Sequence, residues 1–335
     1  MKKIKYILFA LLSLSLASCF KPVEFDPGEI SPYPVLVSRP ECDSTVKVYL
    51  SYSHFFLDDG HAYKLITDAA VTLDINGVST QGVYVVDNDE APLSHYFFNV
   101  RPAPGDTLNV TARIPGCETP VTAGTRIPQL ADYEILDYII DTTDIECCYF
   151  KIRFKVKSHS PIDYYSVKFF VSDSYDSHDT TGTLWSTDEA YFRQVFFSVN
   201  DPIVNSSDVS SVIDGDDGSF YDNEMVFTSE LFSGGEHEFI AIFGKWMNSD
   251  ERQRNISQLP VYMHIRALSQ DLYRYNLTRE LNSDSDGILS EPVQIYCNVN
   301  GGIGIFGASS LRKIHLTTPR FEHFNHGNTY YYYKK

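Results

Sequence analysis

Alternating apolar and polar side chains dominate the first part of the chain. In Val46–Leu50 and in Val71–Ile75, every second side chain is aliphatic. A period of two places one set of side chains on the buried face of a β-strand and the other set in water. Asn76-Gly77, directly after the second run, is a typical tight-turn sequence. This pattern predicts a small, immunoglobulin-like β-sandwich over residues 34–128.

The strongest strand pattern of the next region carries a row of cations. Apolar side chains from Phe150 to Val156 alternate with basic ones, which are Lys151, Arg153, Lys155 and Lys157. In an otherwise acidic chain, such a row suits an acidic partner or lipid headgroups. It is more often a solvated face, or a guard against aggregation on an edge strand.

Only one helix is indicated within the second region, residues 129–320. Ser269 suits an N-cap and Asp271 a first helical turn, and apolar residues recur at helical spacing near 269–283. The sequence therefore predicts a mainly β fold of two β-sandwich domains. The N-terminal one is immunoglobulin-like, and the larger, β-rich C-terminal one has one notable α-helix. Residues 321–335 are interpreted as a polar, tyrosine-rich tail.

The N-terminus carries an export and lipidation signal. Three lysines among the first five residues precede the apolar run Tyr6–Ala17, which is shorter than the roughly 20 residues that span a bilayer. The run leads into Leu-Ala-Ser-Cys19, which looks like the lipobox of bacterial lipoprotein precursors. Residues 1–18 are interpreted as a signal peptide and 19–33 as a tether, with acyl chains such as palmitate on Cys19 binding membrane lipid. The alternative is an ordinary secretory signal with a chance cysteine.

The charge of the chain argues against nucleic acid as a partner. The formal net charge is −17, and cleavage after residue 18 removes three further lysines. An acidic surface repels phosphate groups. No nucleic-acid partner is expected.

Five cysteines remain in the mature chain besides the lipidated one. An exported protein can form disulfides, and Cys42 and Cys117 are a possible pair because both flank predicted strands of the first domain. Cys147 and Cys148 are adjacent and point to opposite faces of a strand, so at most one of them faces Cys297.

Gly302–Gly307 matches the G-x-G-x-x-G pattern of dinucleotide sites. Such a site needs a helix after the glycines, whose N-terminus faces the pyrophosphate. Leu311–Leu316 follows instead, and it is short and strand-like. The pattern is therefore interpreted as a glycine-rich bend, where a strand turns or another backbone comes close, and no cofactor-binding residues are expected.

Asn282, Asp284 and Asp286, followed by Gly287, resemble the start of a calcium-binding loop. Oxygen ligands at positions 1, 3 and 5 with glycine at position 6 suit a hard cation. The bidentate acid expected at position 12 is missing, because that place is Val293. A turn without metal is the simpler interpretation, and calcium stays an alternative.

The C-terminal third resembles a known lipoprotein family. Glu291-Pro292-Val293, Asn298 and the run Gly301–Gly307, after a tyrosine-bearing helix, are similar to the family called domain of unknown function 4249. The resemblance implies a Bacteroidota outer-membrane lipoprotein, on the periplasmic or the surface side, that often associates with TonB-dependent nutrient receptors. It implies no catalytic residues.

Sequence signatures of common hydrolases, G-x-S-x-G and H-E-x-x-H, do not occur, and no enzyme is expected. The leading hypothesis is a non-enzymatic accessory or binding component of a TonB-dependent receptor. A structural or adhesive cell-surface protein is the alternative. An unrecognised hydrolase is the weakest of the three hypotheses.

Overall fold

Both parts of the chain fold as β-sandwiches in the computed structural model, which confirms the mainly β prediction. The structure describes residues 32–54, 64–86, 94–141, 147–172, 192–199, 201–205, 221–222, 224–247, 259–283, 293–316, 321–326 and 329–334.

Nine strands within the described residues form the first sandwich. Eight of them follow one another in the chain: β1 (Pro34–Ser38), β2 (Val46–Tyr52), β3 (Ala70–Ile75), β4 (Val78–Gln81), β5 (Val83–Val85), β6 (His95–Phe98), β7 (Thr107–Arg113) and β8 (Val121–Arg126). The ninth, β18 (Ile303–Phe306), comes from the C-terminal part of the chain. One sheet has the order β18-β1-β2-β6-β5, and the other has the order β4-β3-β7-β8.

Period-two alternation builds the core of this sandwich as the sequence predicts. Val46 and Val48 of β2 are fully buried, and so are Val71 and Leu73 of β3. Asn76 and the glycine after it both have positive φ, at 53° and 88°. This left-handed pair makes the predicted tight turn between β3 and β4.

The glycine-rich segment closes the first sandwich from outside residues 34–128. β18 pairs in parallel with β1, with Ile303 opposite Val35. Just before it, Asn300 exchanges two backbone hydrogen bonds with Thr122 of β8, at 2.8 and 2.9 Å. The segment therefore contacts both sheets. The first sandwich was predicted to comprise residues 34–128 alone. In the structure it also includes β18, from the C-terminal part of the chain.

Twelve further strands within the described residues form the second sandwich. They are β9 (Asp132–Asp141), β10 (Cys147–Lys157), β11 (Tyr164–Ser172), β12 (Phe192–Gln194), β13 (Phe197–Ser198), β14 (Tyr221–Asp222), β15 (Met225–Thr228), β16 (Glu236–Trp246), β17 (Val261–Leu268), β19 (Ser309–His315), β20 (Phe321–His326) and β21 (Thr329–Lys334). One sheet has seven strands in the order β14-β13-β16-β10-β9-β21-β20. The other has the order β12-β11-β17-β19, and β15 also pairs with β11.

Aromatic side chains fill the space between these two sheets. Phe150 and Phe243, on neighbouring strands, stack with ring centroids 4.9 Å apart. Phe169 of the facing sheet meets Phe197 edge-on, also at 4.9 Å. Offset and edge-to-face pairs of this kind stabilise a core beyond the area that they bury.

The predicted tail over residues 321–335 is wrong for most of its length. β21 pairs with β9, with Tyr331 opposite Ile139, and β20 continues the sheet beyond it. The tyrosine-rich sequence therefore supplies backbone to the seven-stranded sheet. Tyrosine is a strand-favouring residue, which the sequence interpretation underweighted.

The described residues form two α-helices, α1 (Pro202–Asn205) and α2 (Gln270–Ser283). A 3-10 turn spans Ser229–Leu231. The hydroxyl of Ser269 accepts a hydrogen bond from the amide of Leu272 at 3.2 Å, which is the predicted N-cap. The same hydroxyl accepts the amide of Ala308 at 3.0 Å. One cap thus joins α2 to the segment that leaves β18.

Candidate functional site

A crevice of about 410 Å³ lies at the junction of the two sandwiches. The first sandwich contributes Arg126, the connection between the sandwiches contributes Gln129, and the second sandwich contributes the turn after β10 and the start of α2. A cleft between two rigid β-sandwiches is a common location for a ligand site. This crevice is therefore the first candidate site.

The turn at one side of the crevice is fixed by Asp163. Its carboxylate accepts the backbone amides of His159 at 2.7 Å and Ser160 at 3.0 Å. The Ser160 hydroxyl donates to the same carboxylate at 2.6 Å. Burial, together with nearby Asp163, raises the pKa of Tyr165. These groups hold the turn in one conformation.

The serine and histidine of this turn do not form a catalytic pair. Ser160 Oγ is bound to Asp163, while Nε2 of His159 lies 3.1 Å from the carbonyl oxygen of Leu130. A serine nucleophile needs its hydroxyl within hydrogen-bond reach of a general base that is itself oriented. Here both side chains hold the backbone instead.

The other side of the crevice presents amide and phenol groups. Gln270 Nε2 donates to the Tyr164 hydroxyl at 2.9 Å. The rings of Tyr164 and Tyr273 pack together with their centroids 4.7 Å apart. Asp271 accepts the hydroxyl of Tyr296 at 2.6 Å. This arrangement suits hydrogen bonding to a polar solute.

The predicted cation row lies in the middle of a sheet, so its interpretation as an edge-strand guard is wrong. β10 pairs with β9 on one side and with β16 on the other. Arg153 contacts Asp137 at 2.8 Å, and Lys155 contacts Glu236 at 2.8 Å. The hydrogen bond between Lys155 and Glu236 raises the pKa of the lysine and lowers that of the glutamate. Acidic side chains of the neighbouring strands thus neutralise these two cations.

Exposed apolar side chains share this outer face with the cations. They are Tyr149 (45% exposed), Ile240 (41%), Ile242 (43%) and Trp246 (73%). Lys151 lies opposite Ile242 and makes no ion pair with any residue that the structure describes. We call Tyr149, Ile240, Ile242 and Trp246 the distal apolar face. Solvent-exposed patches of this kind mark interaction sites.

Sequence reasoning missed the distal apolar face, although β16 contains a signal for it. Phe239 and Phe243 point into the core. Ile240 and Ile242, which lie between them in the sequence, point to the outer face and are also apolar. A strand that is apolar on both faces is either covered on both or exposes one for binding. The run of apolar residues before Trp246 carried this information.

The cysteines correct one prediction. Cys42 and Cys117, which both lie in described segments, are free thiols rather than a disulfide. Cys42 hydrogen-bonds Ser310, while Cys117 lies beside Tyr52, so the two have different neighbours. Burial raises the pKa of Cys148 to about 12, which makes this thiol a poor nucleophile.

Most of the other predicted site residues lie outside the described residues. Cys19 and, in the calcium pattern, Asp284 and Asp286 belong to this group. Asn282 lies in the last turn of α2. In the described part of the chain, no three His, Cys, Asp or Glu side chains group closely enough to hold a metal ion. Calcium therefore stays a prediction.

The G-x-G-x-x-G pattern serves packing, as interpreted from the sequence. A Cβ on Gly304, where φ is +125°, would overlap the carbonyl oxygen of Leu36. A Cβ on Gly307 would lie 2.9 Å from the Cα of Leu272 in α2. These glycines allow the backbones of β1 and α2 to come closer to this segment than any side chain would permit.

A model of the family described as "Domain of unknown function (DUF4249)" matches residues 21–314. No curated protein matches the chain. A solved structure from Corynebacterium diphtheriae, described as a "Putative membrane anchored protein", is 10% identical, with a TM-score of 0.21. The match covers 81% of this chain and 59% of that one. Of the helices that the structure describes, none is long and apolar enough to cross a membrane.

Proposed function

The chain belongs to the family described as Domain of unknown function (DUF4249), and from this premise we propose a non-enzymatic accessory role at a TonB-dependent nutrient receptor. The protein is an outer-membrane lipoprotein in this proposal. Acyl chains on Cys19 hold it, and residues 19–33 connect the anchor to the first sandwich.

The distal apolar face is the observation that carries this proposal. Trp246 is 73% exposed; Ile242 precedes it on β16, and Tyr149 lies on the neighbouring strand β10. The residues that contribute most to binding energy at protein interfaces are enriched in tryptophan and tyrosine. An accessory protein needs such a surface for its receptor.

The position of this face also suits a tethered protein. β9 leaves the junction at Asp132 and ends at Asp141, at the same end of the sheet as Trp246. Ten residues of strand extend over about 30 Å. The tether enters at Pro34 of the first sandwich, so the distal apolar face lies beyond the junction, in the other domain. It is held away from the point of attachment.

The crevice supports binding rather than catalysis. Its serine and histidine hold a turn, whereas Gln270 and Tyr164 present polar groups to a solute. A nutrient-binding accessory would use these groups to hold its ligand while the distal apolar face contacts the receptor.

Co-purification tests the proposal. The full lipidated protein is solubilised from its own membranes in mild detergent, and bound proteins are identified by mass spectrometry. We expect a TonB-dependent receptor in a fixed ratio. Trp246→Ala should weaken this complex about 30-fold, because truncation of a central interface residue costs about 2 kcal/mol.

Val78→Asp is the matched control. Val78 is 70% exposed on the first sandwich, so its replacement alters an apolar surface away from the proposed interface. The control should retain the receptor. If the lipidated wild-type protein co-purifies with no receptor, the accessory role is contradicted. Recovery of a surface adhesin instead of a receptor would favour the adhesive alternative.

A further inference from the structure

A second cavity, of about 470 Å³, lies on the first sandwich and is separate from the crevice. It is formed by the end of β1, the turn that follows, and the start of β2. Its lining includes the side chains of Arg39, Glu41, Ser44, Thr45, Lys47 and Tyr49. We call this the β1–β2 cavity.

The β1–β2 cavity is positively charged in a chain whose net charge is −17. Arg39 and Lys47 line it, and neither makes an ion pair with a residue that the structure describes. The guanidinium of Arg39 lies over the ring of Tyr275, 5.6 Å from its centroid. The one carboxylate of the lining, Glu41, is bound by Arg266 at 3.1 Å. Two positive charges therefore remain.

The hydroxyl groups of the cavity add uncommitted hydrogen-bond donors. Ser44, Thr45 and Tyr49 donate their hydroxyls to no acceptor among the described residues. By contrast, the Ser38 hydroxyl, at the edge of the same cavity, donates to the carbonyl oxygen of Lys47 at 2.6 Å. The cavity thus combines two cations with three donor hydroxyls.

We propose that the β1–β2 cavity binds a phosphate group. A phosphate carries up to two negative charges and three terminal oxygens, which match two cations and several hydroxyl donors. A carboxylate has one charge and two oxygens and would leave part of this set unused. The phosphate is a monoester, either of a soluble phosphorylated compound or of phosphatidic acid in a membrane, and both present the same charge and terminal oxygens to the cavity.

Calorimetric titration of the mature lipidated protein in detergent micelles tests this proposal. The probes are inorganic phosphate, dihexanoyl phosphatidic acid below its micelle concentration, and acetate. We expect both phosphate probes to bind at least tenfold more tightly than acetate. Tighter binding of phosphatidic acid supports the headgroup, and tighter binding of inorganic phosphate supports the soluble source. Affinity should fall as salt rises, because exposed charges are screened.

Arg39→Gln and Lys47→Gln should each weaken phosphate binding at least tenfold. Lys64→Gln is the matched control, because Lys64 is also a cation over an aromatic ring of the first sandwich, 5.2 Å from the centroid of Tyr52. Binding of acetate as tightly as phosphate would overturn the proposal. So would an equal loss in the Lys64 variant, or no detectable binding of either phosphate probe.

Discussion

The two sandwiches are completed in different ways. The described strands of the second sandwich all come from residues 132–334. The first sandwich spans residues 34–126 but also requires β18, which lies almost at the end of the sequence. The first sandwich therefore cannot be complete until most of the second has been made.

This difference teaches that the two sandwiches are one folding unit, although each has its own core. The chain between α2 and β19 crosses into the first sandwich as β18 and then returns. Gly304 lies against β1, and Gly307 lies against α2. Loss of this crossing should destabilise both sandwiches together, whereas loss of a turn in the first should act locally.

The largest effect is expected from Gly304→Ala. This change adds a Cβ that overlaps the carbonyl oxygen of Leu36, at a φ of +125° that L-residues avoid. Steric overlap and backbone strain together should cost more than about 3 kcal/mol of unfolding free energy. Urea denaturation, followed by circular dichroism, measures the loss.

Gly77→Ala is the control for Gly304→Ala. Gly77 also has positive φ, +88°, but nothing lies within 4 Å of a Cβ built there. Its replacement should cost only about 1 kcal/mol, from backbone strain alone. Equal losses in the two variants would mean that the contact with Leu36 is unimportant, and the crossing would then not unite the sandwiches.

A smaller effect is expected from Asn298→Ala. The Asn298 side chain accepts the amide of Phe306 at 3.0 Å and donates to its carbonyl oxygen at 2.9 Å. It also donates to the carbonyl oxygen of Gly124 in β8, at 3.2 Å. Leaving these backbone groups without partners should cost about 2 kcal/mol. Hydrogen exchange should speed up in both β1 and α2.

Asn76→Gly removes a comparable set of bonds within the first sandwich alone. Asn76 donates to Asp106 at 2.8 Å and accepts the amide of Thr107 at 3.0 Å, and glycine tolerates its φ of 53°. Its hydrogen-exchange effect should be confined to the turns around it. Faster exchange confined to β18 in the Asn298 variant would argue against coupling between the sandwiches.

Strand positions with strict alternation were predictable from the sequence, and β18 was not. β2, β3 and β10 each bury every second side chain, so a local pattern defined them. β18 has four residues and one glycine, and its role depends on a neighbour more than 260 positions away. The glycine spacing did indicate a close backbone approach, but it could not identify β1 as the partner.

Partners across strands were the second limit of sequence reasoning. The row of cations from Lys151 onward was recognisable, but the carboxylates of Asp137 and Glu236 that neutralise part of it come from strands distant in the chain. For the same reason, Cys42 and Cys117 looked like a pair although their neighbours differ. Burial pattern is local information, whereas pairing is set by topology.

The smallest effect is expected on the outer face of the second sandwich, away from the crossing. Lys155→Met removes the hydrogen bond that does most to lower the pKa of Glu236, so this pKa should rise toward its usual value of 4.5. A lowered carboxyl pKa stabilises the fold above the unfolded pKa, and this contribution is lost as pH falls through the folded pKa. Lys157→Met removes a weaker cause and should raise the pKa of Glu236 less. NMR titration of the Glu236 carboxyl measures both.

Neither change should move the urea midpoint at pH 7 measurably, since exposed ion pairs contribute little. A loss as large as that of Asn298→Ala would show that the second sandwich depends on its outer face as much as the first depends on β18.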